Sequence, residues 1–336
     1  MNDRSRSTRR TFCRLALGLL GSAAVVTAGC DDKNASTSNA PATAPAASGG
    51  AAGGGTIGVS LLTLSNPFFR DMGDAITAEA AAHGMKVQIV SADLDSAKQR
   101  DQVKNFIVAH VSAIVLTPAD SRAVGTAIKE ANAAGIPVFT ADVASLSPDA
   151  KVVSHIATDN FGGGKMAGEA VVELLGGKGK VAIIDHPEVE SVIQRTKGFM
   201  EVVSKHPDIQ VVATLPGGGE RDRSFKVMQD ILQAHPDINA VFAINDPSAL
   251  GAVSALEAAT KLNQIKVIGF DGQPEAKIAI RDGKIFADAI QYPDRIGKLA
   301  VQAIVKFMNG EPVEPQTLIP TGLYKQADAK ADTQLR

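Results

Sequence analysis

From Thr56 onward the chain alternates short apolar runs with amphipathic stretches, and it does so in two passes. The first pass reads as strand 56–62, then a helix with Phe69, Met72, Ile76, Ala80 and Met85 at helical spacing. Strand 87–91, helix 96–109, strand 113–116, helix 121–134, strand 136–141, strand 152–157 and helix 163–175 follow. The second pass reads as strand 181–184, helix 194–204, strand 211–215, helix 224–234, strand 240–244, helix 247–259 and strand 265–270. Such runs, bounded by turn formers and separated by helical patterns, indicate βαβ units and a parallel sheet.

The two passes echo each other. Ile136-Pro137-Val138 leads to Asp142 and Ile265-Lys266-Val267 leads to Asp271, both in the pattern I-x-V-x-x-x-D. Thr117 lies 25 residues before Asp142, and Asn245 lies 26 before Asp271. Two similar α/β lobes are therefore expected, each offering a polar strand end and an aspartate strand end to a shared cleft. In open parallel sheets ligands bind at the carboxyl ends of the strands. The first strand ends at Thr63, Ser65, Asn66 and Pro67, which puts Asn66, Phe68 and Phe69 at that edge. Two rings beside an amide suit a sugar, since rings cover its C–H faces and the amide reads its hydroxyls. From periodicity alone, the same residues are equally consistent with a plug over a core.

Length and charge narrow the class. The chain has 336 residues, 45% of them hydrophobic and 4% aromatic, enough for one large or two medium cores. Its formal charge is −2, and residues 1–30 carry five arginines against one acid. The remainder is thus mildly acidic, with no global field for nucleic acid or an anionic membrane. Both cysteines, Cys13 and Cys30, fall in those first 30 residues. The body after them can hold no disulfide, thiolate nucleophile or cysteine metal site.

Residues 1–30 read as an export signal. An arginine-rich start precedes an apolar run from Leu15 to Ala28, 14 residues and so too short to span a bilayer core of about 30 Å. Thr8-Arg9-Arg10-Thr11-Phe12 resembles the twin-arginine export motif, with an ordinary secretory signal as the alternative. Thr27-Ala28-Gly29-Cys30 resembles a bacterial lipoprotein processing box, in which Cys30 carries the lipid; Thr27 departs from the usual aliphatic residue. Residues 31–55 are rich in Ala, Ser, Pro and Gly, a composition that reads as a disordered tether. Twenty-five such residues reach about 25–30 Å root-mean-square.

Several blocks in order carry a family resemblance: SNPFF at 65–69, VVSHIATDN at 152–160, KVMQ at 226–229, AHPDINAVFAINDPSALGA at 234–252, VIGFDG at 267–272 and IQYPDRIG at 290–297. Through nearly all of 56–325 the chain resembles the periplasmic ribose-binding protein family, the type I sugar-binding proteins of ABC importers. The resemblance implies an α/β fold of two Rossmann-like lobes with parallel sheets, joined by a three-crossover hinge near Ala157, Tyr292 and Pro320. It divides the chain into 56–157 plus 293–320 for the N-terminal lobe and 158–292 plus 321–330 for the C-terminal lobe. It implies a monosaccharide as ligand, an ABC permease and ATPase complex as partner, a monomer, and no enzyme activity or cofactor. The location implied is the periplasm or cell surface, anchored to a membrane by lipid on Cys30. A sensory module presenting sugar to a membrane receptor is the alternative output.

The family's ligand residues carry over to Asn66 as a hydroxyl-binding amide and to Phe68 and Phe69 as stacking rings. They carry over to Asp142 as a double acceptor, to Arg195 as a donor, and to Asn245, Asp271 and Gln291 as further polar contacts. Carboxylates only accept, Arg only donates, and Asn or Gln does both. Taken alone, Asp142 and Asp271 would also serve as structural caps and Arg195 as a surface helix residue. Three positions depart. Thr117 stands where ribose binders have Asn, Val143 where they have Arg, and Gly217-Gly218-Gly219-Glu220-Arg221 where they have an aromatic. A site built around a hydroxyl penalises an unpaired partner, so a ligand other than ribose itself is expected: another pentose, a hexose, a deoxy sugar or a polyol.

Other chemistry finds no support. His83, His110, His155, His186, His206 and His235 form no H-x-x-x-H pair, so no sequence-local metal site is expected. Gly162-Gly163-Gly164-Lys165 lacks the Ser or Thr that a phosphate loop has after its lysine. No G-x-S-x-G occurs.

Overall fold

A computed structural model of the chain describes residues 54–335; the export signal, lipidation site and most of the tether expected above lie outside them. The first sheet is built from β1 (Thr56–Leu61), β2 (Lys86–Ser91), β3 (Ala113–Leu116), β4 (Val138–Ala141), β5 (His155–Thr158) and a late strand, β11 (Gln316–Ile319). All its pairings are parallel, in the order β11-β5-β4-β3-β1-β2. The second holds β6 (Gly179–Asp185), β7 (Ile209–Pro216), β8 (Ala240–Ala243), β9 (Lys266–Asp271), β10 (Ala287–Ile290) and β12 (Gly322–Lys325). Its order is β12-β10-β9-β8-β6-β7, parallel but for β12, which runs antiparallel to β10. The two orders match strand for strand, and both reverse beside the first strand of their set, β1 or β6. That reversal opens a crevice at the carboxyl ends.

Helices α1 (Pro67–Ala82), α2 (Ser96–Val108) and α3 (Gly125–Ala133) connect the first sheet. The second sheet has α4 (Asn160–Leu175), α5 (Glu190–Val203), α6 (Arg221–Ala234), α7 (Asp246–Ala258) and α8 (Pro274–Arg281). Helix α9 (Pro293–Met308) returns to pack on α1, and α10 (Gln326–Ala331) follows β12. The chain thus passes between sheets three times: at Asp159, at Gln291–Tyr292 and at Pro320–Thr321.

Strands β3, β4 and β8 are buried along their whole length, which is why they read as unbroken apolar runs rather than alternating ones. The starts of α1, α2, α4 and α7 follow side-chain cap chemistry. Asn66 Oδ1 accepts from Phe68 N at 3.0 Å with Pro67 in the first turn of α1, and Asn245 caps α7 in the same way. Helix α3 begins four residues later than the spacing predicts, because Asp120 Oδ1 takes the amides of Arg122 and Ala123 and holds 121–124 as a turn. The glycine run at 162–164 lies inside α4. A Cβ on Gly164 would sit 2.1 Å from Arg195 O, and one on Gly198 would sit 2.1 Å from Phe161 O. These glycines let α4 and α5 touch backbone to backbone, which fixes where Arg195 on α5 points.

Candidate ligand cleft

Where the carboxyl ends of the two sheets face each other there is a cavity of about 580 Å³. Such a volume is in the usual range for small-molecule sites. Asn66, Phe68, Phe69, Asp142, Arg195, Asn245, Asp271 and Gln291 all line it. Thr117 does not. It is fully buried just after β3, its carbonyl accepting from Gln99 Nε2 at 2.9 Å and its Oγ1 without a partner among the described residues. The expectation that Thr117 faces the ligand is corrected on this point: the residue sits beneath the wall.

Arg195 organises the second-lobe side. Only 3% exposed, it donates through Nε to Asn160 Oδ1 at 2.8 Å and through Nη1 to Ile244 O at 2.7 Å and Asp271 Oδ1 at 3.3 Å. Its guanidinium lies 3.8 Å from the centre of the Phe270 ring. A buried guanidinium held by hydrogen bonds, an ion pair and a ring face is fixed in direction before any ligand arrives. It is a cleft residue and not a surface helix arginine.

Asp271 receives Gln291 Nε2 at 2.6 Å, besides Arg195, and Gln273 Nε2 at 3.4 Å. Burial pushes its carboxyl up, and Arg195 and Gln291 pull it back. Asp142 has no such support. Its Oδ1 finds no donor among the described residues, and burial, reinforced by the charges of Asp271 and Glu190, pushes it up to about 7 against the pull of Arg195. Both aspartates have positive φ, 65° for Asp142 and 118° for Asp271. Backbone strain at two matched strand ends is the kind that a binding site retains.

Phe68 and Phe69 sit at the boundary between core and cavity. They are 2% and 5% exposed, packed edge to face with centroids 5.1 Å apart, and they also line the cavity. Asn245 is largely committed to the fold, with Oδ1 accepting from Ser248 N and Nδ2 donating to Gly219 O, both at 3.0 Å. Gln291 keeps a buried Oε1 without a partner among the described residues.

Two residues in or beside the cleft escaped the sequence reading. His186, at the end of β6, lines the cavity, and burial lowers its pKa so that the neutral ring is favoured. Gln273 donates through Nε2 to Asn66 Oδ1 at 2.6 Å, from one lobe to the other. The lobes meet again where Ser121 N donates to Glu188 O at 3.0 Å and Ser121 Oγ accepts from Glu190 N at 2.8 Å.

A family model described as "Periplasmic binding protein domain" matches residues 57–312. The chain belongs to the periplasmic binding protein family. The chain is 40% identical over 272 residues to the ribose import binding protein RbsB of Bacillus subtilis (strain 168), covering 81% of this chain and 87% of that one. Among solved structures, an ABC transporter solute binding protein from Mycobacterium smegmatis with bound glycerol is 35% identical, with a TM-score of 0.78. It covers 83% of this chain and 96% of its own. One from Bacillus halodurans C-125 with bound myo-inositol is 32% identical, TM-score 0.78, covering 84% and 98%. This periplasmic binding protein thus shares its overall fold with solved solute binding proteins.

Proposed function

We propose that this protein is the substrate-binding component of an ABC-type importer and takes a neutral monosaccharide or polyol into its interlobe cleft. The observation that carries this reading is the pair Asp142 and Asp271, one from each lobe, buried on one cavity with Arg195, the one buried guanidinium of its lining, beside them. Arg221, Arg223 and Lys226 also line the cavity, with Glu220 and Asp222, so its cationic and acidic side chains balance, which suits a neutral ring of hydroxyls, each of which can donate to an acid and accept from a guanidinium. The unpartnered oxygens of Asp142 and Gln291 are acceptors awaiting donors of this kind. Phe68 and Phe69 supply an apolar wall for C–H faces. The relatives named for ribose import, glycerol and myo-inositol share the polyhydroxylated character of the guest.

Closure of the lobes about their three connections buries the guest, and the permease and ATPase complex reads the closed form. The leader and the low-complexity stretch support export, by the twin-arginine or the general route, and a lipid on Cys30 that tethers a monomeric body in the periplasm or at the cell surface. The glycines at 217–219 and Val143 support a guest other than ribose. Thermal unfolding against a panel of pentoses, hexoses and polyols, including D-ribose, glycerol and myo-inositol, is the test. A guest at 100 times its dissociation constant adds about 2.7 kcal/mol. No shift with any panel member overturns the reading, and a shift with D-ribose overturns the narrower exclusion.

A further inference from the structure

Behind Asp271 lie two more carboxylates, Asp246 in the first turn of α7 and Asp288 in β10, both fully buried. One oxygen of each is committed to a backbone amide: Asp246 Oδ2 accepts from Gln273 N at 2.6 Å, and Asp288 Oδ2 from Gly272 N at 3.0 Å. The two side chains also come within hydrogen-bonding reach of each other, yet Oδ1 of each has no donor among the described residues. Ionised carboxylates only accept, so two of them in contact in a dry site need a proton between them. We propose that Asp246 and Asp288 share one proton, and that this acid–carboxylate pair is the positioning device for the 271–273 turn.

The turn needs one. Asp271 has φ 118° and Gly272 φ 80°, and a Cβ at Gly272 would lie 2.4 Å from Ile290 Cγ2. Its two consecutive amides are each held by one member of the pair. The turn carries Asp271, which faces the cavity, and Gln273, which reaches Asn66 on the other lobe. The charged groups that face the pair are Asp271 from β9 and Arg195 from α5. Burial is the main cause that raises both carboxyls: Asp288 to about 7, and Asp246, beside two other acids, well above the ordinary carboxylate range. One proton therefore stays on the pair above neutrality.

The value of this device to binding rests on the sugar-binding reading, but the proton does not, and the test needs no ligand. Infrared spectra of the full chain at pH 8, where Asp142 is mostly ionised, should show a carboxylic-acid C=O band that moves on deuteration. Asp288→Asn and Asp246→Asn should each remove it, because the amide donates in place of the proton. Each should also flatten the decline of urea-unfolding stability between pH 5 and pH 8 by about one proton. Amide exchange at Gly272 and Gln273 should stay slow in Asp288→Asn and rise about tenfold or more in Asp288→Leu, which removes an acceptor and keeps the bulk. No acid band in the wild type, or a band that survives both Asn variants, overturns the shared proton. Unchanged exchange in Asp288→Leu overturns the positioning role. Should the Leu variant not fold, the wild-type spectrum still decides. A sugar panel with no hits beside a clear acid band would sink the proposed function alone.

Discussion

Asp142 and Asp271 end matched strands in matched motifs, yet their surroundings are unlike. Asp271 stands in a prepared setting: Arg195, Gln291 and Gln273 donate to it, and Asp246 and Asp288 hold the turn behind it. Asp142 presents a buried oxygen that no donor meets among the described residues. Val143, next in the chain, has no side-chain donor to offer it. Matched motifs thus coexist with unlike settings: the second-lobe aspartate is pre-organised by donors and the first-lobe aspartate is not. A guest in the open cleft would then engage Arg195 and Asp271 first and recruit Asp142 on closure.

The largest effect should come from the prepared side. Asp271→Ala should abolish the response to any panel sugar and also destabilise the protein, by about 3–5 kcal/mol, because Arg195 is left as a buried, uncompensated charge. Calorimetric unfolding with and without ligand measures both. A variant that loses binding but unfolds like the wild type would mean that Arg195 does not depend on Asp271.

Asp142→Asn should move stability the other way. Its folded-state value of about 7 lies above the unfolded value, so the native state keeps a proton that the unfolded chain releases. Stability is full below the ordinary carboxylate range and falls as pH climbs toward about 7. The amide never ionises, so at pH 8 the variant should be more stable by up to about 4 kcal/mol while binding its sugar more weakly. Urea titrations at pH 5 and pH 8 separate the cases, and equal pH slopes for variant and wild type would erase the contrast drawn between the two aspartates.

Much of this was readable from residues in line. The strands ending at Asp142 and Asp271 are buried on both faces and declare themselves as apolar runs. The late elements were harder. Strand β10 is only Ala287–Ile290 and has a buried aspartate in its middle; β11 is a half-exposed edge strand; β12 runs against its neighbour. Helix α9 did carry a signal, since Ile296, Ala300, Val301 and Ile304 form its buried stripe. In the cleft, Gln273 meets Asn66 across 207 positions of chain, a pairing no local pattern encodes. Thr117 kept the right distance from Asp142 in sequence but sits under the wall, because strand spacing fixes where a strand ends and not which way its last side chain turns. The histidine count could reject a metal pair, whereas His186 reaches the cleft only through its place at the end of β6.

The smallest effect belongs to an interlobe contact that touches neither aspartate. Ser121 on the first lobe makes two bonds to second-lobe backbone, donating its amide to Glu188 O and accepting from Glu190 N at its Oγ. Ser121→Ala removes the hydroxyl acceptor and leaves the amide bond to Glu188, a loss of about 1 kcal/mol. If that bond is made only when the lobes meet, the loss falls wholly on the closed form, and affinity for every sugar that binds should drop by about fivefold with the order of preference unchanged. Small-angle scattering should show a more open average in the variant. A changed order of preference would place Ser121 among the residues that read the guest, and the contrast between the lobes would then extend beyond the two aspartates.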